Sequence, residues 1–237
     1  PAHQRLDADE ADMREAARAI RGVHALVEIP NGVAVVADHY WQARKALEAL
    51  APVFSGGERV IDTPEYSRRL GEALDTPGLV AGAIGDAEAV FAIASRVVEA
   101  RYEVPYLAHA TMEPMSCTAS ARAGSCEIWT PTQAPLQIRR DVGRALDIDP
   151  ENVTVHPTLM GGGFGRRFEL DFVIDAVQAS QAVGAPVKVV WTREEDIHHD
   201  FFRPTALSKF SAGLDAAGQP VAWSQTLVST STMQRFE

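Results

Sequence analysis

From Val153 the chain reads Val153-Thr154-Val155-His156-Pro157-Thr158, then Leu159-Met160, then Gly161-Gly162-Gly163-Phe164-Gly165-Arg166-Arg167, and runs on from Phe168 to Val183 with apolar residues on most sides. The first segment has the character of a strand and the last that of a buried helix. The glycines therefore stand where a strand gives way to a helix. Four glycines in five positions remove the side chains that would keep a ligand away from the main chain. A helix starting just after them directs free N–H groups and its positive dipole end at the same place, which suits an anion. Arg166 and Arg167 add positive charge in an otherwise acidic protein. A turn built on purely structural glycines is the other reading. Ordinary nucleotide fingerprints do not fit. A dinucleotide motif beginning at Gly161 or Gly163 needs glycine where Arg166 or Phe168 stands, and no Gly-Lys-Ser/Thr occurs in the chain.

Downstream, Val187 to Trp191 reads as a strand, and Thr192 with Glu195 forms a capping box that starts a short helix. Strands near Ala206–Leu214 and Val221–Thr230 flank a turn at Asp215–Gly218. Upstream, Pro131 to Leu146 reads as a helix, with Ser116–Ser120 and Cys126–Thr130 as strands before it. Val98, Ala100, Tyr102, Val104 and Tyr106 alternate with Glu99, Arg101, Glu103 and Pro105, the pattern of a half-buried strand. Asp86 caps a helix over Ala87 to Ser95. The stretch from Ser55 to Gly78 reads as a surface insertion with one short helix from Pro64. Val23–Ile29 and Val33–Ala37 form a hairpin about Pro30-Asn31-Gly32. Asp38 then caps a helix carrying Tyr40, Ala43, Leu47 and Leu50 on one face. Residues 1–19 are a polar arm or a short surface helix. Helices and strands alternate without a regular βαβ rhythm, which makes the class α+β. A composition change near residues 55–85 separates a smaller N-terminal part, 1–85, from a larger one, 86–237, and residues 97 to 231 are expected to form one α+β unit.

Of the 237 residues, 46% are hydrophobic and 23% charged, a composition that folds rather than stays disordered. With 22 Lys and Arg against 32 Asp and Glu, the net charge is 22 − 32 = −10. Phosphate backbones repel such a chain, so nucleic acid is excluded as a partner. No run approaches the roughly 20 apolar residues of a membrane-spanning segment. The chain opens on Pro1, as a processed N-terminus or a piece of something longer would. Two cysteines, Cys117 and Cys126, exclude a disulfide-stapled miniature and a four-thiolate metal site. A turn centred on Arg122–Ala123 would leave them diagonal on a hairpin, as two free, half-buried thiols. His109 and Glu113 are four apart, but Met112-Glu113-Pro114 breaks any helix there, so helical metal-ligand logic fails. In His198-His199-Asp200 neighbouring side chains diverge, as on polar surface or around a buried hydrogen-bonding group. Gln133 stands at a helix start, able to reach a ligand or to sit on the surface. Glu169 and Asp171 complement the dipole of the following helix, and no catalytic residue is assigned.

Four strings in order resemble one family. They are Tyr102-Glu103-Val104-Pro105-Tyr106-Leu107-Ala108-His109-Ala110-Thr111-Met112-Glu113-Pro114, Trp129-Thr130-Pro131-Thr132-Gln133, Met160 through Arg167, and Trp191-Thr192-Arg193-Glu194-Glu195-Asp196. Together they resemble the large, molybdenum-binding subunit of the xanthine dehydrogenase and aldehyde oxidase superfamily, near the isoquinoline 1-oxidoreductase beta subunit and bacterial aldehyde dehydrogenases. The resemblance is strong from about Val97 to Phe210. It is looser from Ile20 to Leu50, which is similar to the tail of the family's α/β hammerhead domain. The implied fold is a hammerhead remnant followed by a mixed α+β molybdopterin-binding domain.

The resemblance implies a hydroxylase that oxidises aldehydes or N-heterocycles with oxygen from water. Its cofactor would be molybdopterin cytosine dinucleotide, and electrons would leave through an iron–sulfur small subunit. Cofactor-binding residues carried over by the motif, with the residue-level reading of the loop, are Gly161, Gly162, Gly163, Phe164, Gly165, Arg166 and Gln133. The ring of Phe164 would face the small organic substrate. Two departures stand out: Leu107 occupies a place that is glutamine in many relatives, and Phe168, with Glu169 one place later, occupies that of a purine-binding glutamate. Family members are much longer, with their general-base glutamate in a later half, so the resemblance implies a fragment that is catalytically silent alone. A non-catalytic module binding a phosphorylated ligand at the loop, and a purely structural assembly domain, are the rival readings.

Overall fold

The computed structural model describes residues 11–30, 32–52 and 62–231. They form two compact units that are not consecutive in sequence: residues 11–52 with 109–201, and residues 62–108 with 202–231. The stretch 97–231 is thus divided between two units instead of forming one.

The first unit begins with helix α1 (Ala11–Arg18), the antiparallel hairpin β1 (Val23–Ile29) and β2 (Gly32–Ala37), and helix α2 (Tyr40–Leu50). Gln42 Oε1 accepts from the His39 N–H at the start of α2. Asp38, expected to cap that helix, instead meets His24 Nε2 at 2.7 Å across the hairpin. The larger part is a sheet of β4 (Ser116–Arg122), β5 (Ser125–Thr130), β6 (Val153–Pro157) and β7 (Val187–Val190), in the order β6-β5-β4-β7. Only β5 and β6 run parallel. Helices α5 (Pro135–Leu146), α6 (Asp171–Val183) and α7 (Arg193–His198) complete it.

Helix α6 is the buried helix the apolar pattern requires. Phe172, Val173, Ala176 and Val177 are fully buried in one core with Met115, Cys117, Ala119 and Ile128. Each large apolar side chain removed from water contributes about 1.5–3 kcal/mol. Ser180, buried in the same helix, accepts from the Ala121 N–H at 2.9 Å and donates to the Ala185 carbonyl at 2.7 Å. It thereby satisfies two groups near the helix end, which Gly184 closes with a φ of 67°.

Some boundaries move for physical reasons. Helix α6 starts at Asp171, not Phe168, because residues 166–168 form a 3-10 turn. Helix α5 starts at Pro135, whose ring presets a first-turn φ, not at Pro131. The β4–β5 turn falls on Ala123-Gly124, with Arg122 paired to Ser125 and Gly124 at a φ of 76°. Cys126 consequently faces Ala121, well along the strand from Cys117. Both thiols are free and fully buried, not half-buried, since β4 and β5 lie in the core beneath α6. Burial pushes Cys117 up to about 12 and Cys126 up to about 11, so both stay thiols.

The second unit contains helices α3 (Thr63–Leu74) and α4 (Ala87–Ile93) and the antiparallel sheet β3 (Arg96–Val104), β8 (Ala206–Leu214) and β9 (Pro220–Ser229), in the order β3-β8-β9. Asp86 caps α4 by accepting from the Ala89 N–H, as expected. The helix expected from Pro64 exists as α3; residues 55–61 of the same expected insertion lie outside the described residues. Leu207 and Val228 of the sheet pack on Tyr66, Leu70 and Leu74 of α3. Gly213 leaves room for Phe91 and Ala94. Register puts Glu99, Arg101 and Glu103 on this helix-covered face. The opposite face carries Val98, Tyr102, Val104, Trp223 and Leu227, between 39% and 60% exposed. Period-2 alternation therefore identifies the strand correctly, but of its apolar positions only Ala100 is half-buried, because the helices lie over the other face.

Candidate functional site

The glycine loop joins β6 to the 3-10 turn, and its backbone is special at three places: Gly162, Phe164 and Gly165 have φ of 98°, 53° and 103°. Close approach explains two more glycines. A Cβ on Gly163 would come within 2.6 Å of Gln133 Oε1, and one on Gly161 within 2.5 Å of Glu113 Cβ. The loop is held from two sides. Glu113 Oε2 accepts from the Gly161 N–H at 2.9 Å, while the Glu113 N–H donates to the Gly161 carbonyl. Gln133 Oε1 accepts from the Gly165 N–H at 3.0 Å.

The two arginines behave differently from the expectation that they add free charge for an anion. Both are buried, and both are consumed inside the protein. Arg167 donates to the carbonyls of Gly162 and Glu113 and to Glu113 Oε2. Arg166 forms a fork with both carboxylate oxygens of Asp171, at 2.9 and 2.8 Å. Its Nε lies 3.1 Å from Asp200 Oδ1, in ion-pair contact. The rings of Trp191 and Phe201 each lie 5.3 Å from the guanidinium, and that of Phe172 lies at 5.9 Å. A buried cation needs more than one such partner, because its desolvation outweighs what one partner returns. Asp171 thus does more than complement the dipole of α6.

What remains for a ligand is main chain. Among the described residues, the N–H groups of Gly162, Gly163 and Phe164 donate to no protein acceptor. Gln133 has its oxygen engaged and its amide NH2 without an acceptor, and it is exposed beside the loop. The Phe164 ring is 75% exposed. Three successive free amides, with Gly162 and Phe164 at positive φ, are the kind of donor set that accepts an anion or a carbonyl-rich ligand.

Behind the loop, sequence reading missed one pairing. Asp200, 1% exposed at its side chain, accepts from the His109 main-chain N–H and lies 2.9 Å from His109 Nδ1. The residues are 91 positions apart, so no local signal announces it. Of the two readings open for His198-His199-Asp200, Asp200 is the buried group, while His198 and His199 are exposed. The stretch around Glu113 is non-helical, as its proline requires, and no cluster of metal-ligating side chains occurs among the described residues. Nearby, burial and Asp171 push Asp175 up to about 7, against a lowering hydrogen bond from Trp191. The capping box of Thr192 and Glu195 on α7 forms as expected.

The chain belongs to the molybdopterin cofactor-binding domain family, which it matches over residues 74–234. It is 30% identical over 233 residues to the isoquinoline 1-oxidoreductase subunit beta of Brevundimonas diminuta, covering 93% of this chain and 30% of that protein. It is 28% identical over 191 residues to the aldehyde oxidoreductase molybdenum-binding subunit of Escherichia coli K12, covering 79% of this chain and 26% of that one. The fold is that of the aldehyde oxidoreductase from Desulfovibrio gigas, with a TM-score of 0.67 at 17% identity over 91% of this chain and 29% of the other. Reconstituted CO dehydrogenase from Oligotropha carboxidovorans matches with a TM-score of 0.68 at 21% identity, over 95% and 34%. The chain thus spans about 30% of the length of the relative it matches over 93% of its own. No helix among the described residues is long and apolar enough to cross a membrane.

Proposed function

We propose that this chain is the portion of a molybdenum hydroxylase large subunit that cradles the pterin cofactor, in an enzyme oxidising an aldehyde or N-heterocycle with water-derived oxygen. The observation that carries the reading is the row of free amides at Gly162, Gly163 and Phe164, in a loop where added Cβ atoms would collide. The residues fit the group: a pterin and its phosphate tail present carbonyl and anionic oxygens that N–H donors recognise. Gly162, Gly163 and Phe164 would donate, and the Gln133 NH2 would add a fourth contact. Gly161, Gly165 and Arg166 hold the loop in shape, and the exposed Phe164 ring would border the substrate. When bound, molybdenum supplies the two-electron redox centre. The chain's own residues position the cofactor and keep water from its protein-facing side.

The cytosine dinucleotide form, an iron–sulfur partner subunit and the division into a hammerhead-like part (1–85) and a partial cofactor domain (86–237) belong to the same proposal. Of these, the partner subunit is supported by the relatives' names as subunits of oxidoreductases. The test compares molybdenum content and dye-linked aldehyde oxidation in this chain alone and in the chain joined to the rest of a large subunit. Neither is expected in the chain alone, because it offers no assigned base, and general-base help is worth about 10²–10⁴-fold. Both are expected in the joined protein, and Phe164→Ala there should lower activity more than stability. Turnover by the chain alone would overturn this division of roles; molybdenum in neither would overturn the cofactor reading.

A further inference from the structure

The pairing of His109 with Asp200 has a consequence at the glycine loop. Asp200 engages Nδ1 of the ring at 2.9 and 3.0 Å and also binds the His109 main-chain N–H. The carboxylate thereby settles both the ring's orientation and its tautomer: Nδ1 carries a hydrogen, and Nε2 is the free position. Nε2 points at the loop, lying 3.5 Å from where a Cβ on Gly165 would stand. Among the described residues it has no hydrogen-bond partner. The His109 side chain is 15% exposed, so this nitrogen is open beside a loop whose Gly162, Gly163 and Phe164 amides are also open.

We infer that His109 is a positioning residue of the loop site, whose protonated ring gives an anionic group bound at Gly162–Phe164 a charge-assisted hydrogen bond from Nε2. The inference rests on the cofactor-cradle reading and deepens it: the preferred ligand group is an oxyanion rather than a neutral carbonyl. The arginines do not serve in this way, since both are buried and paired with Asp171, Asp200 and Glu113. Nor does Asp200 hold its charge against His109 alone, because Arg166 shares it. Asp196 lies within electrostatic range of both Arg166 and Asp200. The charged groups around the ring are therefore Asp200 in contact, Arg166 behind it, and Asp171 and Asp196 beyond.

Inorganic sulfate is the probe, because it stays dianionic where imidazole titrates. It would be titrated into the 237-residue chain at about pH 5.5 and about pH 8.5, followed through the backbone amides of Gly162–Phe164 and the His109 ring nitrogens. In the native chain, affinity should be roughly five- to tenfold weaker at the higher pH, as expected for loss of one charge-assisted hydrogen bond. His109→Gln should flatten that dependence while the urea midpoint shows the chain still folded. The native Nε2 resonance should also move with sulfate, a readout independent of any variant. Loop shifts with an unmoved Nε2, or with the same pH dependence in His109→Gln, would overturn the role of His109 and leave the loop reading standing. No shift of the loop amides at saturating sulfate would overturn both.

Discussion

The two units solve the same packing problem in opposite ways. In the first, a sheet is closed over by α6, and even two arginines are drawn into its interior, each paired with carboxylates. In the second, α3 and α4 cover the sheet face that carries Glu99, Arg101 and Glu103. The more apolar face stays open, with Tyr102, Phe210 and Trp223 in a row at ring separations of 5.6 and 5.3 Å. The contrast teaches that apolar content does not decide what is buried. In the first unit, charge is admitted because each group has its counterpart. In the second, apolar rings remain exposed because the helices lie on the other side. An exposed apolar surface of this kind is unusual enough to be informative.

The largest expected effect breaks the first half of the comparison. Arg166→Met would leave Asp171 and Asp200 buried without their cation, at a cost of about 3–5 kcal/mol in denaturant unfolding. A loss below about 1 kcal/mol would mean the cluster is far more hydrated than its burial indicates.

A second test concerns pH. Asp175, on the buried helix, is pushed up to about 7 by burial and by Asp171, from an ordinary value of 3.8. Between those limits the folded state holds a proton that the unfolded state has released, so stability falls as pH rises. The contribution is fully present below the unfolded value and gone above about 7. Asp175→Asn should flatten this slope, measured as urea midpoints at mildly acidic and mildly basic pH. Parallel curves for the two proteins would show that the carboxyl is solvated.

Smaller still, Ile128→Val in the closed core should cost about 0.5–1.5 kcal/mol. Trp223→Thr on the open face should stay within about 0.5 kcal/mol, because little contact is lost there. Equal costs at both sites, read from the same denaturant curves, would erase the distinction between a closed and an open sheet.

Much of this molecule is written locally. The strand at Val153, the glycine run, the buried helix, the Asp86 cap and the Thr192–Glu195 box all follow from period, turn chemistry and hydrogen-bond accounting between near neighbours. Each needs only residues a few positions apart, and such interactions are set before any long-range packing. The strings that resemble the family were legible for the same reason, since each is a run of near neighbours such as Gly161–Gly165.

Tertiary structure alone decided where the charges go and which faces are covered. Arg166 reads as a free cation until Asp200, 34 positions away, is brought beside it, and the same carboxylate reaches His109 across 91 positions. The bare face of β3 likewise depends on which side α3 and α4 choose, and Leu207 and Val228 on distant strands make that choice. A partner's position costs nothing to state in sequence and everything to predict. Desolvating a charge is unfavourable unless a specific counter-group arrives, and only the folded chain supplies it.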